Sequence, residues 1–128
     1  LKRPSWHLAQ GYDVAARLLA TLDEYGYRGP EAKVFIQCFE PDTLKRLRYE
    51  LGTELPLVQL ISVAAFSLAT RRGLAGIAEY ADGIGPDKRL IESNPQLVSW
   101  AHELGLVVHP WTFRADSLPR ATSAWRRS

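Results

Sequence analysis

The sequence predicts an α/β chain of about four β/α units with parallel strands, forming part of a TIM (β/α)8 barrel. Three observations carry this. Short apolar runs begin near Val34, Leu57, Asp82 and Leu106, a repeat of roughly 24 residues. Each is followed by helical apolar spacing or by the capping residues that start a helix. Polar side chains also alternate with apolar ones inside these runs: Gln37 between Ile36 and Cys38, Gln59 between Val58 and Leu60, and His109 after Val108. Right-handed βα units at this period build either a doubly wound sheet or a barrel. Polar residues recurring on one face of successive strands suit a barrel lumen that opens to a site at the strand C-termini. A whole barrel takes about 250 residues, so the 128 residues here hold about half of one.

Leu1–His7 is polar and interrupted by Pro4, which predicts a loop. From Tyr12 to Tyr25 the residues Val14, Leu18, Leu22 and Tyr25 follow helical spacing, and Gly26 supplies a left-handed stop. Val34–Phe39 reads as a strand with Phe35, Gln37 and Phe39 on one face and Val34, Ile36 and Cys38 on the other. Glu40, Pro41 and Asp42 start a helix, since proline is preformed for the first position and acids suit the positive end of the dipole. Its inward residues are Leu44, Leu47 and Leu51, and Gly52 ends it.

Leu57–Ile61 is the next strand, and a Ser/Ala-rich connection without a clear assignment follows. Residues 72–80 predict a helix with Leu74, Ile77 and Ala81 on one side. Ala81–Pro86 is a short strand whose Gly83 and Gly85 allow a close approach of backbone or ligand. Asn94 is placed to cap a helix with Pro95 at its first position and Leu97, Trp100, Ala101 and Leu104 as its stripe. Gly105 ends that helix, and Leu106–Val108 reads as a strand buried on both faces. The stretch Leu106–Arg114 then gathers His109, Pro110, Trp111 and Thr112 where that strand ends, as ligand sites on α/β scaffolds do. Residues 120–128 are expected to form a poorly ordered tail.

Composition narrows the function classes. With 46% hydrophobic and 23% charged residues the chain is of soluble globular type. The net charge of +2 is weak. Its cations (Lys45, Arg46 and Arg48 on one helix, Arg71, Arg72, Lys88 and Arg89 in connections) are interspersed with acids. That predicts solvated faces, not a nucleic-acid groove. Cys38, the single cysteine, lies in an apolar run, so an intrachain disulfide is excluded and a buried, inert thiol is expected. The longest apolar stretch, Leu57–Ala69, is too short to span a bilayer. The chain opens on Leu1 and contains no methionine, which suggests one partial domain, residues 1–128, of something longer.

The segments VFIQCFEPDTLKRLR (Val34–Arg48), LVQLI (Leu57–Ile61), AEYADGIGPDKRLI (Ala78–Ile91) and LVVHPWTFRADSLP (Leu106–Pro119) resemble consecutive parts of the glycerophosphodiester phosphodiesterases. The similarity is to the bacterial periplasmic type, in the family's order and spacing. It implies a TIM barrel of the PLC-like phosphodiesterase kind, entered at the end of the third strand and left before the eighth. It also implies hydrolysis of glycerophosphodiesters to glycerol 3-phosphate and an alcohol. A divalent cation, calcium in this type, would hold the phosphate, and two histidines would act as base and acid. A periplasmic location comes with the resemblance alone, and it leaves the oligomeric state open.

By the same resemblance, Lys2 matches the lysine of a Glu-x-Lys element and is a candidate phosphate contact. Trp111 is a candidate wall against the glycerol or the leaving alcohol, with a core tryptophan at the barrel rim as the alternative. Gln37 and Gln59 are candidates to bond substrate in the lumen, or else to satisfy one another. Phe39 and His109 complete the candidate lining. The family's His-Arg-Gly element does not occur in the sequence, and none of His7, His102 and His109 matches the catalytic pair. The chain alone is therefore expected to be inactive. A closed arrangement of strands with no open edge would instead favour a different class, a non-catalytic α/β ligand-binding or interaction module.

Overall fold

A computed structural model of the chain describes residues 1–112. The extension after Thr112, including Phe113, Arg114 and the tail expected at 120–128, lies outside the described residues. The elements are α1 (Pro4–Ala9), α2 (Val14–Glu24), β1 (Ile36–Cys38), α3 (Pro41–Lys45), β2 (Leu57–Ile61), α4 (Arg71–Ala78), β3 (Gly83–Pro86), α5 (Lys88–Ser93), α6 (Gln96–Glu103) and β4 (Val107–Val108). A π-helical turn, Arg46–Glu50, continues α3, and a 3-10 helix, Val63–Leu68, follows β2.

The four strands form one parallel sheet in the order β1-β2-β3-β4. A doubly wound sheet reverses its strand order at a switch point. Here the order never reverses, as expected for consecutive units of a barrel. Register places Cys38 beside Gln59, Gln59 beside Ile84, and Ile84 beside Val108. Side chains at paired positions share a face. One face therefore carries Ile36, Cys38, Leu57, Ile61, Ile84 and Val108, all buried against Leu44, Leu47, Leu74, Ile77, Leu97 and Ala101 of the helical layer. On the opposite face Val58, on the middle strand β2, is fully buried, while the outer positions stay open: Phe35 is 47% exposed, Phe39 48% and Val107 41%. Among the described residues, β1 and β4 are edges.

Several local expectations are corrected. Residues Pro4–Ala9 form a helix, not a loop, because Pro4 takes the first helical position where a missing N–H costs nothing. Tyr25 lies beyond the last turn of α2 and is exposed, while Ala15 is the helix's buried contact. The cap of α2 is Asp13, whose carboxylate accepts from Ala16 N at 3.1 Å. Asn94 gives no side-chain cap to α6; its carbonyl accepts from Leu97 N at 3.1 Å. Lys88 and Arg89 open a further helix, α5, and Arg71 and Arg72 form the first turn of α4, capped by Thr70 through Gly73 N. Val107 is half-exposed, so β4 is buried on one face only.

Arg46 and Arg48 are not a solvated face either. Arg46 Nη1 and Nη2 donate to the two Asp13 carboxylate oxygens at 2.9 and 2.7 Å, a bidentate pair joining α2 to the helix after β1. Arg48 donates to Tyr80 O at 3.0 Å, Thr53 O at 2.7 Å and Asp82 Oδ2 at 2.7 Å. Asp82 Oδ2 also accepts from Leu57 N at 2.9 Å, so one guanidinium and one carboxylate bind the N-terminal ends of β2 and β3. That end of a barrel serves stability and leaves the opposite end for chemistry.

Candidate functional site

At their C-terminal ends the strands deliver Phe39 and Glu40 from β1, Ser62 from β2, Asp87 from β3, and His109 and Trp111 from β4. Strands in a sheet are about 4.8 Å apart, so three steps separate β1 from β4 by about 14 Å if the sheet is flat. Yet the Phe35 and His109 rings meet edge to face at 4.8 Å, and Phe39 and Trp111 at 5.7 Å. The sheet is thus curled into a trough whose two outer strands converge over the middle ones.

Glycine makes the convergence possible. A Cβ on Gly83 would lie 2.4 Å from Val107 Cγ2, and one on Gly85 would lie 2.6 Å from Leu60 Cδ2 and 3.3 Å from His109 O. The floor under the aromatic walls therefore admits no side chain at Gly83, where Val107 O would lie 2.8 Å from the same Cβ, and leaves little room at Gly85. Trp111 is fixed onto that floor: its indole Nε1 donates to Gly85 O at 2.7 Å, its backbone nitrogen to Pro86 O at 3.1 Å, and its carbonyl accepts from Lys88 N at 2.7 Å. A residue tied once through its ring and twice through its backbone is a rigid platform and not a loose surface residue.

Lys2 reaches the same rim from the other side. A cleft of about 470 Å³ is lined by Leu1, Lys2, Arg3, Ser5, Trp6, Cys38, Phe39 and Glu40. Phe39 belongs to both features, lining the cleft and touching Trp111. Phe39 thus borders the Lys2 cleft and Trp111 alike at the strand C-termini. Gln37 and His109 lie deeper, on the trough face, with Gln37 half-buried.

Gln59 is a correction. It pairs with Cys38, so its side chain faces the helices and not the trough, opposite to Gln37. It is fully buried. Its Nε2 donates to Phe39 O and Leu60 O at 3.0 Å, and its Oε1 accepts from the Tyr80 hydroxyl at 2.8 Å. Burial pushes the Tyr80 phenol up to about 12, which keeps it a donor. Gln59 is a structural residue, and neither of the two readings made for it from sequence holds.

Two acids stand at the strand ends beside the residues expected there, Asp87 and the helix-starting Glu40. Asp87, buried at the end of β3, accepts from Arg89 N at 2.9 Å, Nε at 3.0 Å and Nη2 at 2.7 Å, and that guanidinium holds its carboxyl below the ordinary value. Glu40 accepts from Ser5 N at 3.0 and 3.2 Å and from the Ser5 hydroxyl. The sequence signal for Asp87 was its position one residue before a helix. Glu40 carried the same signal, at the start of the helix opened by Pro41, but its bond to Ser5 could not be read because that partner lies 35 residues away.

Among the described residues no three His, Cys, Asp or Glu side chains are grouped so that they could hold a metal ion. A calcium ion takes about six to eight oxygens, so these residues do not fit a calcium site. The histidines are dispersed: His7 in α1 against Trp6 at 5.0 Å, His102 exposed on α6, and His109 against Phe35. Cys38 is fully buried, and that burial raises its thiol. No helix among the described residues is long and apolar enough to cross a membrane.

Comparison with known proteins agrees with this arrangement. Residues 4–127 match the glycerophosphoryl diester phosphodiesterase family. A glycerophosphodiester phosphodiesterase of Haemophilus influenzae is 30% identical, over 93% of this chain and 42% of the relative. One of Treponema pallidum is 29% identical over the same shares. One of Bacillus subtilis is 32% identical over 79% of this chain and 34% of the relative. The chain therefore spans about two fifths or less of these relatives. A crystal structure of a glycerophosphoryl diester phosphodiesterase-type protein from Silicibacter pomeroyi superposes with a TM-score of 0.62 at 24% identity, covering 79% of this chain and 34% of that one. At that identity the likeness speaks for the fold.

Proposed function

The chain belongs to the glycerophosphoryl diester phosphodiesterase family, and from that premise we propose that it forms part of an enzyme that hydrolyses glycerophosphodiesters to glycerol 3-phosphate and an alcohol. The observation that carries this reading is the family match across residues 4–127. The position of Phe39 at the strand C-termini, lining the Lys2 cleft and touching Trp111, supports it, since that is where barrel enzymes keep their substrates.

In this reading the chain supplies a wall and an anchor. The Lys2 ammonium is a compact charge for a phosphoryl oxygen. Phe39 and Trp111, packed edge to face, give the glycerol or the alcohol an apolar corner that excludes water. His109 and Gln37 line the trough below. Acid–base chemistry and the divalent cation, calcium by resemblance, are assigned to residues outside those described. The periplasm and phospholipid-derived substrates belong to the same proposal.

The test compares the 128-residue chain with the complete protein on glycerophosphocholine, each with added calcium. Turnover is expected from the complete protein alone, and Trp111→Ala in it should raise KM about tenfold, the cost of one aromatic contact of about 1.4 kcal/mol. Turnover by the 128 residues that Lys2→Ala abolishes would overturn this assignment of roles. An inactive complete protein would overturn the substrate class.

A further inference from the structure

We infer that Glu40 is a positioning residue that holds Lys2 at the substrate rim, a role that rests on the function proposed above. Lys2 itself is exposed and lies on a short connection between two ties. On one side, Leu1 N donates to Gln37 O at 2.6 Å, fastening the chain to the outer edge of β1. On the other, Ser5 N and the Ser5 hydroxyl donate to the Glu40 carboxylate, two residues beyond β1. Residues 1 and 5 are thus fixed to residues 37 and 40, and Lys2 is presented from the span between them.

The conformation of that span is one that needs holding. Arg3 adopts φ 49°, ψ 48°, the left-handed region that a side chain with Cβ rarely enters. Its guanidinium lies over the Trp6 ring at 5.5 Å. Pro4 then fixes the entry to α1. Without the Glu40 acceptor, Ser5 loses its anchor, Arg3 is free to relax to an extended conformation, and Lys2 no longer has a defined direction. Charge complementarity gives Glu40 a second reason to sit there, because a carboxylate beside the first turn of a helix interacts favourably with its unpaired N–H groups.

Such a role has a signature that simple structural support lacks. In the complete protein, Glu40→Ala should raise KM for glycerophosphocholine about tenfold while kcat changes less than threefold, because a ground-state contact has been disordered. Glu40→Gln keeps an oxygen acceptor for Ser5 and should restore most of the lost affinity. In a Lys2→Ala background, Glu40→Ala should add less than a twofold change, since the group it positions is gone. Calorimetric titration with glycerol 3-phosphate should show the same non-additivity without any turnover. Additive effects of Lys2→Ala and Glu40→Ala, or an unchanged KM in Glu40→Ala, would overturn the inference while leaving the proposed reaction standing. An inactive wild type would overturn the reaction, and this role with it.

Discussion

The Gln59 amide sits between the Phe39 and Leu60 carbonyls and the Tyr80 hydroxyl, a buried set in which every polar atom has a partner. Removing one member strands the others in an apolar surrounding, and an unsatisfied buried group costs about 1–3 kcal/mol. Gln59→Leu is of similar size, so packing changes little and the polar loss dominates. It should destabilise the protein by about 2 kcal/mol in urea unfolding, against about 1 kcal/mol for Tyr80→Phe, which keeps the ring. Were Gln59 a lumen residue, the same change would instead leave stability intact and alter substrate binding. The contrast with Gln37 is instructive. Alternation within a strand is written in the sequence, but which parity faces the helices depends on the register with the next strand. A one-residue difference in register exchanges the two faces. Gln37 pairs with Val58 and Gln59 with Cys38, and nothing local in either strand encodes that offset.

Whole elements depend on similar long-range ties, and α2 is a clear case. Its cap, Asp13, serves the helix through Ala16 N and serves the neighbouring layer through Arg46. The Arg46 guanidinium, with the Ala16 amide second, lowers the Asp13 carboxyl from 3.8 to about 2. A carboxyl whose pKa is depressed on folding adds stability above its unfolded value, and that contribution disappears as pH falls through the folded value. Asp13→Asn should therefore lower Tm at pH 6, and the gap to wild type should narrow between pH 4 and pH 2. A gap that stays constant through that window would refute the Asp13–Arg46 tie. Strands and long helices were legible because their apolar spacing is local: Leu57–Ile61 matches its predicted limits, and Leu44 and Leu47 are buried as expected. The short helices α1 and α5 were not, because six residues hold too few apolar positions to set a period. The contact of Phe39 with Trp111 was equally invisible, since it arises from sheet curvature across strands far apart in sequence.

At the scale of the molecule, the sheet buries one face under helices and leaves the other as an open trough. Phe35, Phe39 and Val107 are each more than two fifths exposed on that face. β1 and β4 are edges among the described strands, with backbone groups directed outward. Exposed apolar side chains beside open strand edges are a recognised route to association. In a complete barrel the same surface would be lumen and the same edges would be paired. The 128-residue chain in isolation should therefore self-associate, with light scattering rising with concentration above that of a 14.4 kDa monomer. Phe35→Lys combined with Val107→Lys should reduce the association and retain the helical circular dichroism, because both side chains lie on the trough face and outside the buried core. A monodisperse monomer with a sharp cooperative melt would contradict the prediction. It would mean that the trough is satisfied within the chain, and the wall assigned to Phe39 and Trp111 would then be a closed core contact and not a surface held ready for substrate.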